Sequence, residues 1–206
     1  MSDKRRRQRM TSHERREQLI AVARAVFGSK AFEAATVEEI AAEAGVSKPV
    51  VYEHFGGKEG LYAVVVDREV NTLLDAIRTS LTTPQGPRQT LEAATIAFLD
   101  YVETNSDGFR ILGRDSAVGS GSGSFATILN DIASEVEGIL ADQFRDSELD
   151  PKMAPMYAQM LTGMVAMTGQ WWLDARRPSK ADVAAHVVNL AWNGLRGLRP
   201  QPRRNR

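Results

Sequence analysis

At 206 residues, with 43% apolar and 25% charged side chains, the chain is long enough to bury a core and has an ordinary globular composition. It contains no cysteine, which excludes disulfides and thiolate chemistry and suits a reduced, cytoplasmic location; its three histidines, His13, His54 and His186, are too far apart in sequence for a local metal-ligand motif. The formal charge is zero but uneven: of 26 bases and 26 acids, eleven and eight lie up to Lys58, leaving fifteen and eighteen beyond it, so a basic end joins a mildly acidic body.

Residues 1–11 form a basic arm, with Lys4, Arg5, Arg6, Arg7 and Arg9 and no apolar pattern. Disorder is expected there. A secretion signal would follow such charges with an apolar stretch, but Thr11-Ser12-His13-Glu14 follows instead. No apolar run approaches the roughly 20 residues that a membrane span needs, so no membrane partner is expected. The arm is either a solvated tail or an arm for nucleic acid.

Helix signals dominate the rest. Thr11 and Glu14 have capping-box spacing, and Leu19, Ala23, Val26 and Phe27 repeat at helical intervals, which predicts a first helix over about 12–30. Thr36-Val37-Glu38-Glu39 opens a short helix that Gly45 stops. Ser47 caps another, with Pro49 in its first turn and an end near Phe55-Gly56-Gly57. A long helix is predicted from Lys58 to Thr82, broken by Pro84, Gly86 and Pro87. Further helices are predicted over about 88–105, around Phe109 to Leu112, and over the run of Ile128, Ile132, Val136, Ile139 and Leu140. A long helix follows from Asp150-Pro151 to about Arg177, and a last one from Ser179. Gly119 to Gly123 reads as a flexible loop, and residues 200–206 as a disordered tail. No segment alternates as a strand, so the fold class is all-α.

Residues 36–61 carry the chemistry. Val37, Ile40, Ala41, Ala44 and Val46 would hold two short helices against the first, and Val51 with Phe55 would hold down the next. The outward side of that helix then carries Lys48, Val50, Tyr52 and His54, as a helix entering the major groove requires. Lys48 suits a guanine edge or a phosphate, and Val50 a thymine methyl. Tyr52, His54 and Lys58 are donors for phosphate oxygens, which fix register without reading sequence. Thr36 stands at a helix N-terminus, where free N–H groups also favour phosphate. The plainer alternative is that Tyr52 packs and His54 caps.

Residues 14–61 resemble the DNA-binding domain of the TetR family of bacterial regulators. The likeness lies in Thr36, Ile40-Ala41, Ala44-Gly45-Val46-Ser47, Val51-Tyr52-Glu53-His54-Phe55, Lys58-Glu59 and Leu61. It implies a three-helix helix-turn-helix domain over 12–57 and a larger helical ligand-binding and dimerisation domain over 58–199. By the resemblance, Lys48, Pro49 and Val50 fall where bases are read and Tyr52, His54 and Lys58 where phosphates are met; Thr36 and Ser47, at the helix N-termini, complete the candidate DNA-binding set. Val50 is bulkier than the small residue expected at its place. The implied partners are double-stranded operator DNA, a second copy of the chain and a small-molecule effector of unknown identity. The implied function is repression, relieved when a largely apolar ligand releases a palindromic operator.

In the later helices no motif is diagnostic. Met160, Gly163, Met164, Met167 and Trp171, with Val183, Val187, Leu190, Ala191, Gly194 and Leu195, fit a dimer face or an internal core face. Phe98, Tyr101, Val102, Phe109, Phe125, Leu129, Met160, Met164, Met167, Trp171 and Trp172 are candidates for an apolar pocket, with Asn105, Arg110 and Gln170 as polar orienting groups. No catalytic constellation, cofactor motif or metal cluster appears, so an enzyme is not expected. A DNA-binding protein answering to a protein partner, with no ligand, is the rival reading.

Overall fold

The computed structural model describes residues 10–83, 85–114, 125–147 and 149–198; residues 1–9 of the basic arm, the Gly119 to Gly123 loop and the tail from Pro200 lie outside these. The described residues form nine α-helices and no strand: α1 (Ser12–Ala34), α2 (Val37–Glu43), α3 (Lys48–Phe55), α4 (Lys58–Thr82), α5 (Pro87–Thr104), α6 (Ser106–Arg114), α7 (Phe125–Asp146), α8 (Ala154–Ala175) and α9 (Lys180–Arg196). None of them is long and apolar enough to cross a membrane. The chain divides into two compact units, one reaching Arg68 and the other beginning at Glu69, so the boundary falls inside α4.

In the N-terminal unit, α1 starts at a full capping box. Thr11 Oγ1 accepts the Glu14 N–H at 3.2 Å, and the Glu14 carboxylate accepts the Thr11 N–H at 2.7 Å. Helix-like geometry persists to Ala34, beyond the expected end near residue 30, but is interrupted at Ala31, whose φ of 67° is left-handed. Gly28 is buried within the helix. Two contacts hold the extra turn. Phe32 packs with Tyr62 at 4.7 Å between ring centroids, and Tyr62 meets Phe27 edge-on at 4.9 Å. Lys58 Nζ donates to the carbonyls of Phe32 at 2.9 Å and Ala35 at 3.1 Å, filling acceptors that the end of a helix leaves open.

Thr36 caps α2, accepting the Glu39 N–H at 3.2 Å. Between α2 and α3 the chain reverses at Gly45 (φ 64°), where Val46 N–H returns to the Ala41 carbonyl at 2.9 Å. Gln18 of α1 donates to the Ala44 carbonyl at 3.1 Å and ties that turn to the first helix. Leu19, Ala23, Phe27, Ile40, Val51, Leu61 and Val65 fill the core, and Leu19, Ile40, Val51 and Leu61 are wholly inaccessible.

In the C-terminal unit, α7 packs along α8 and α5 packs along α9. Lys180, at the start of α9, pairs with Asp100 and donates to Glu103 at 2.6 Å near the end of α5. The two helices are therefore antiparallel, and the end of α9 lies beside the start of α5. Tyr101 Oη donates to a carboxylate oxygen of the buried Glu69 at 2.7 Å, linking α5 to α4. The expected long helix from Pro151 is divided: Pro151–Met153 is a 3-10 turn, and α8 begins at Ala154. Pro155 explains this, because it has no N–H to donate to the carbonyl four residues back and its ring crowds that position.

A candidate DNA-reading helix and an apolar cleft

The N-terminal unit presents α3 by its two ends. Ser47 is the N-cap residue, yet its hydroxyl makes no cap bond; the turn is closed by the Val50 N–H to the Ser47 carbonyl at 3.0 Å. The Ser47 side chain therefore stays available. Gly56 (φ 73°) ends the helix, its N–H donating to the Tyr52 carbonyl at 2.8 Å. Val51 is fully buried and Phe55 half-buried, with the Arg16 guanidinium 4.9 Å above the Phe55 ring. That anchoring turns Ser47, Lys48, Pro49 and Tyr52 outward; Tyr52 is 47% exposed. Val50 and His54 are half-buried, and Thr36 is exposed at the start of α2.

The structure brings Lys48 and Tyr52 together, the ammonium 5.7 Å from the ring centroid. It adds a group that the sequence reading did not name. Glu38 of α2 pairs with Lys48 across the turn, which holds the Lys48 ammonium above, and the Glu38 carboxyl below, its ordinary range. Ten positions separate the two residues, and no local pattern announces the contact. Lys58 sits apart from this cluster. Its ammonium is engaged by the Phe32 and Ala35 carbonyls and stands 4.2 Å from the Phe32 ring centroid.

The C-terminal unit holds an apolar cleft with about 1260 Å³ of empty space, its mouth included. Its walls come from α4 (Ile77, Leu81), α5 (Pro87 to Phe98), α7 (Leu129 to Phe144), α8 (Leu161 to Ala166) and α9 (Trp192 to Arg196). Its polar lining includes Thr90 near the start of α5, Gln143 and Ser147 near the end of α7, and Arg196 at the end of α9. Among the described residues Arg196 is the one charged group lining the cleft, and no carboxylate pairs with it. Farther in, the Thr95 hydroxyl is used by the Leu91 carbonyl at 2.8 Å, whereas the buried Thr162 hydroxyl has no partner.

Of the residues expected around a pocket, Phe98 and Leu129 line this cleft. Tyr101 and Phe109 are buried beyond it, and Phe109 meets Phe98 at 5.6 Å, Tyr101 at 6.4 Å and Phe125 at 5.7 Å, all edge-on. Met160 and Trp171, both 56% exposed, face outward on α8, and Met164 is half-buried outside the cleft. Trp172 is buried, its indole N–H donating to the Pro178 carbonyl at 2.9 Å. Arg110 stands beside Asp107 and Asp174, and Gln170 is exposed. The sequence reading favoured aromatics and methionines; the walls are mostly aliphatic, from α7 residues first read only as helix-forming. Among the described residues no cluster of metal-ligating side chains occurs.

Residues 19–65 match the family model for bacterial regulatory proteins of the tetR family, and residues 76–202 match that for a tetracyclin repressor-like C-terminal domain. The HTH-type transcriptional activator FasR of Mycolicibacterium smegmatis is 36% identical over 196 residues, covering 93% of this chain and 87% of that protein. A TetR-like transcriptional regulator from Rhodococcus sp. RHA1 superposes with a TM-score of 0.73 at 23% identity, covering 92% of this chain and 100% of the other. A tetR-family regulator from Streptomyces coelicolor gives 0.68 at 28% identity, with 88% and 80% covered.

Proposed function

Since the chain belongs to the TetR family and is a transcriptional regulator with a DNA-binding helix-turn-helix, we propose that it binds a palindromic operator as a homodimer and releases it when an anionic, single-chain amphiphile fills the C-terminal cleft. The observation that carries the ligand class is the cleft lining. Aliphatic walls suit a hydrocarbon chain, and the lone charge, Arg196, lies at the end of α9, where a carboxylate or other anionic head can be met.

On the DNA side, Lys48, with Ser47, Pro49 and Val50 beside it, reads bases, and Thr36, Tyr52 and His54 meet phosphates. To bind DNA, Lys48 exchanges Glu38 for a base edge or a phosphate. Lys58, first read as a phosphate donor, contributes mainly by holding the end of α1. The dimer face is the stripe of Met156, Met160, Met167 and Trp171 on α8 with Leu190 on α9, each 47–66% exposed. A two-fold dimer of this kind matches two half-sites about one DNA turn apart.

Repression is the first reading of the regulatory sign. Activation is the second, and the relative at 36% identity, named as an activator, favours it. Operator binding does not set the sign; the position of the operator relative to the promoter does.

The test begins with the DNA sequence enriched by the protein from a random pool. Straight-chain carboxylates of graded length are then titrated against the protein–operator complex by fluorescence anisotropy. A chain that fits the cleft should weaken operator binding, and operator should weaken its binding by the same factor. Operator affinity indifferent to straight-chain carboxylates of every length would refute the ligand class. Lys48→Ala should change the preferred sequence, and unchanged selectivity would remove its base-reading role. Transcription in vitro from a promoter carrying the operator gives the sign.

A further inference from the structure

The α4, α5, α7 and α8 walls each stop part-way along their helices, and α9 lines only the other end, with Trp192, Leu195 and Arg196. The innermost lining residues are Ile77 on α4, Phe98 on α5, Leu129 on α7 and Ala166 on α8; Leu73, Val102, Phe125 and Gly169, one helical turn farther along their helices, do not line it. Arg196 stands at the opposite end, a direction fixed by the antiparallel pairing of Lys180 with Glu103, and Gln143 and Ser147 follow the last turns of α7, whose first residue, Phe125, packs behind Phe98 through Phe109. From Pro87 to Phe98 along α5, at about 1.5 Å per residue, the cleft is roughly 16 Å long.

Phe98 closes this inner end and has nowhere to retreat. It is 3% exposed, and its ring lies on the bare backbone of Gly169, where a Cβ would come within 2.2 Å of Phe98 Cε1. Behind it stand Phe109, edge-on at 5.6 Å, and Phe125 beyond that at 5.7 Å from Phe109. An atom added at Gly169 therefore pushes the ring towards the cleft. Removing the ring opens the cleft towards Phe109.

Accepting that the cleft takes an anionic amphiphile, we propose that Phe98, seated on Gly169, is the stop that sets the longest hydrocarbon chain the protein accepts. Each methylene buried short of the stop adds about fourfold to affinity, corresponding to about 0.8 kcal/mol per CH₂. A methylene that would overrun Phe98 adds nothing or is rejected, because the aromatic packing behind the ring does not yield.

The experiment is calorimetric titration of the full-length protein with straight-chain carboxylates from octanoate to stearate. It is repeated on Gly169→Ala and Phe98→Leu, with circular dichroism confirming that each variant is folded. In the unaltered protein affinity should climb about fourfold per methylene and then break. The break should move to a shorter chain in Gly169→Ala and to a longer one in Phe98→Leu. The two variants act in opposite directions, so loss of either to misfolding still leaves a decisive arm. A break that stays at one length in every folded variant overturns the stop while leaving the amphiphile reading intact. Binding of no carboxylate by the unaltered protein overturns both.

Discussion

In the N-terminal unit α2 and α3 are short, 7 and 8 residues, and the ends of the helices carry the structure. Thr11 and Thr36 cap α1 and α2, Gly45 and Gly56 turn the chain, and Lys58 fills the carbonyls where α1 breaks. In the C-terminal unit α7 and α8 run 22 residues each, and what distinguishes them is how their faces meet those of α5 and α9. Capping contributes about 1 kcal/mol at each end and matters most where a helix has few turns. Packing of long faces dominates elsewhere, and it tolerates a gap. The DNA-facing surface is thus prescribed by single residues, and the cleft by pairs distant in sequence.

The N-terminal unit, too, depends on a close approach of backbone, across the junction of α3 and α4. A Cβ at Gly60 would lie 2.0 Å from the Phe55 carbonyl oxygen, which cannot rotate away. Gly60→Ala should cost about 3 kcal/mol, the upper end of ordinary overpacking, and abolish operator binding near the new melting point. Urea denaturation followed by circular dichroism measures it; an unshifted midpoint would mean the α3–α4 junction yields freely.

Next comes the link between α4 and α5. Tyr101→Phe removes the hydroxyl that donates to the buried Glu69 carboxylate. Bonds to charged groups contribute more than neutral ones, so a loss of about 2 kcal/mol is expected. If the melting temperature does not fall, Glu69 is satisfied by its other contacts and the long-helix unit does not rely on this bond.

Gly45 is the opposite case, a turn set by backbone conformation alone. Nothing lies within 4 Å of a Cβ built there, so Gly45→Ala meets no steric obstacle. Its whole cost is the left-handed backbone at φ 64°, about 1 kcal/mol. A cost of several kcal/mol would mean the turn is constrained by packing, as in the C-terminal unit.

How much was legible in the sequence follows the same division. Capping residues and turn glycines are local, so α2, α3 and α4 are found where the pattern puts them, and α3 exposes Lys48 and Tyr52, whereas Val50 and His54 are half-buried. The ending of α1 was misjudged because the residue that completes it, Lys58, is 26 positions from Phe32. The Glu38–Lys48 pair was missed for a similar reason. In the C-terminal unit periodicity gives the helices but does not say which stripe faces a void. Ile132 and Val136 look like any core positions until α5 and α8 are placed beside them. Met160 and Trp171 suit a pocket by chemistry, yet their side of α8 faces outward.

The smallest effect has the opposite sign, and it tests whether the cleft is kept at a cost to stability. Thr162 is 8% exposed, lines the cleft, and has a hydroxyl with no hydrogen-bond partner. A threonine in a helix usually returns its hydroxyl to a carbonyl of the preceding turn, as Thr95 does to Leu91. Thr162 does not, so it bears the desolvation of a polar group without the bond that would offset it. Thr162→Val keeps the branched shape and removes that liability. It should raise the stability of the ligand-free protein by about 0.5 kcal/mol, part of the usual penalty being relieved by rotation of the hydroxyl. The measurement is the urea midpoint of the full chain, with Thr95→Val as the matched comparison. Thr95→Val removes a hydroxyl already in use and should lower the midpoint instead. If both changes lower it equally, the Thr162 hydroxyl is as well satisfied as that of Thr95, and the cleft wall is packed for stability like the rest of the unit.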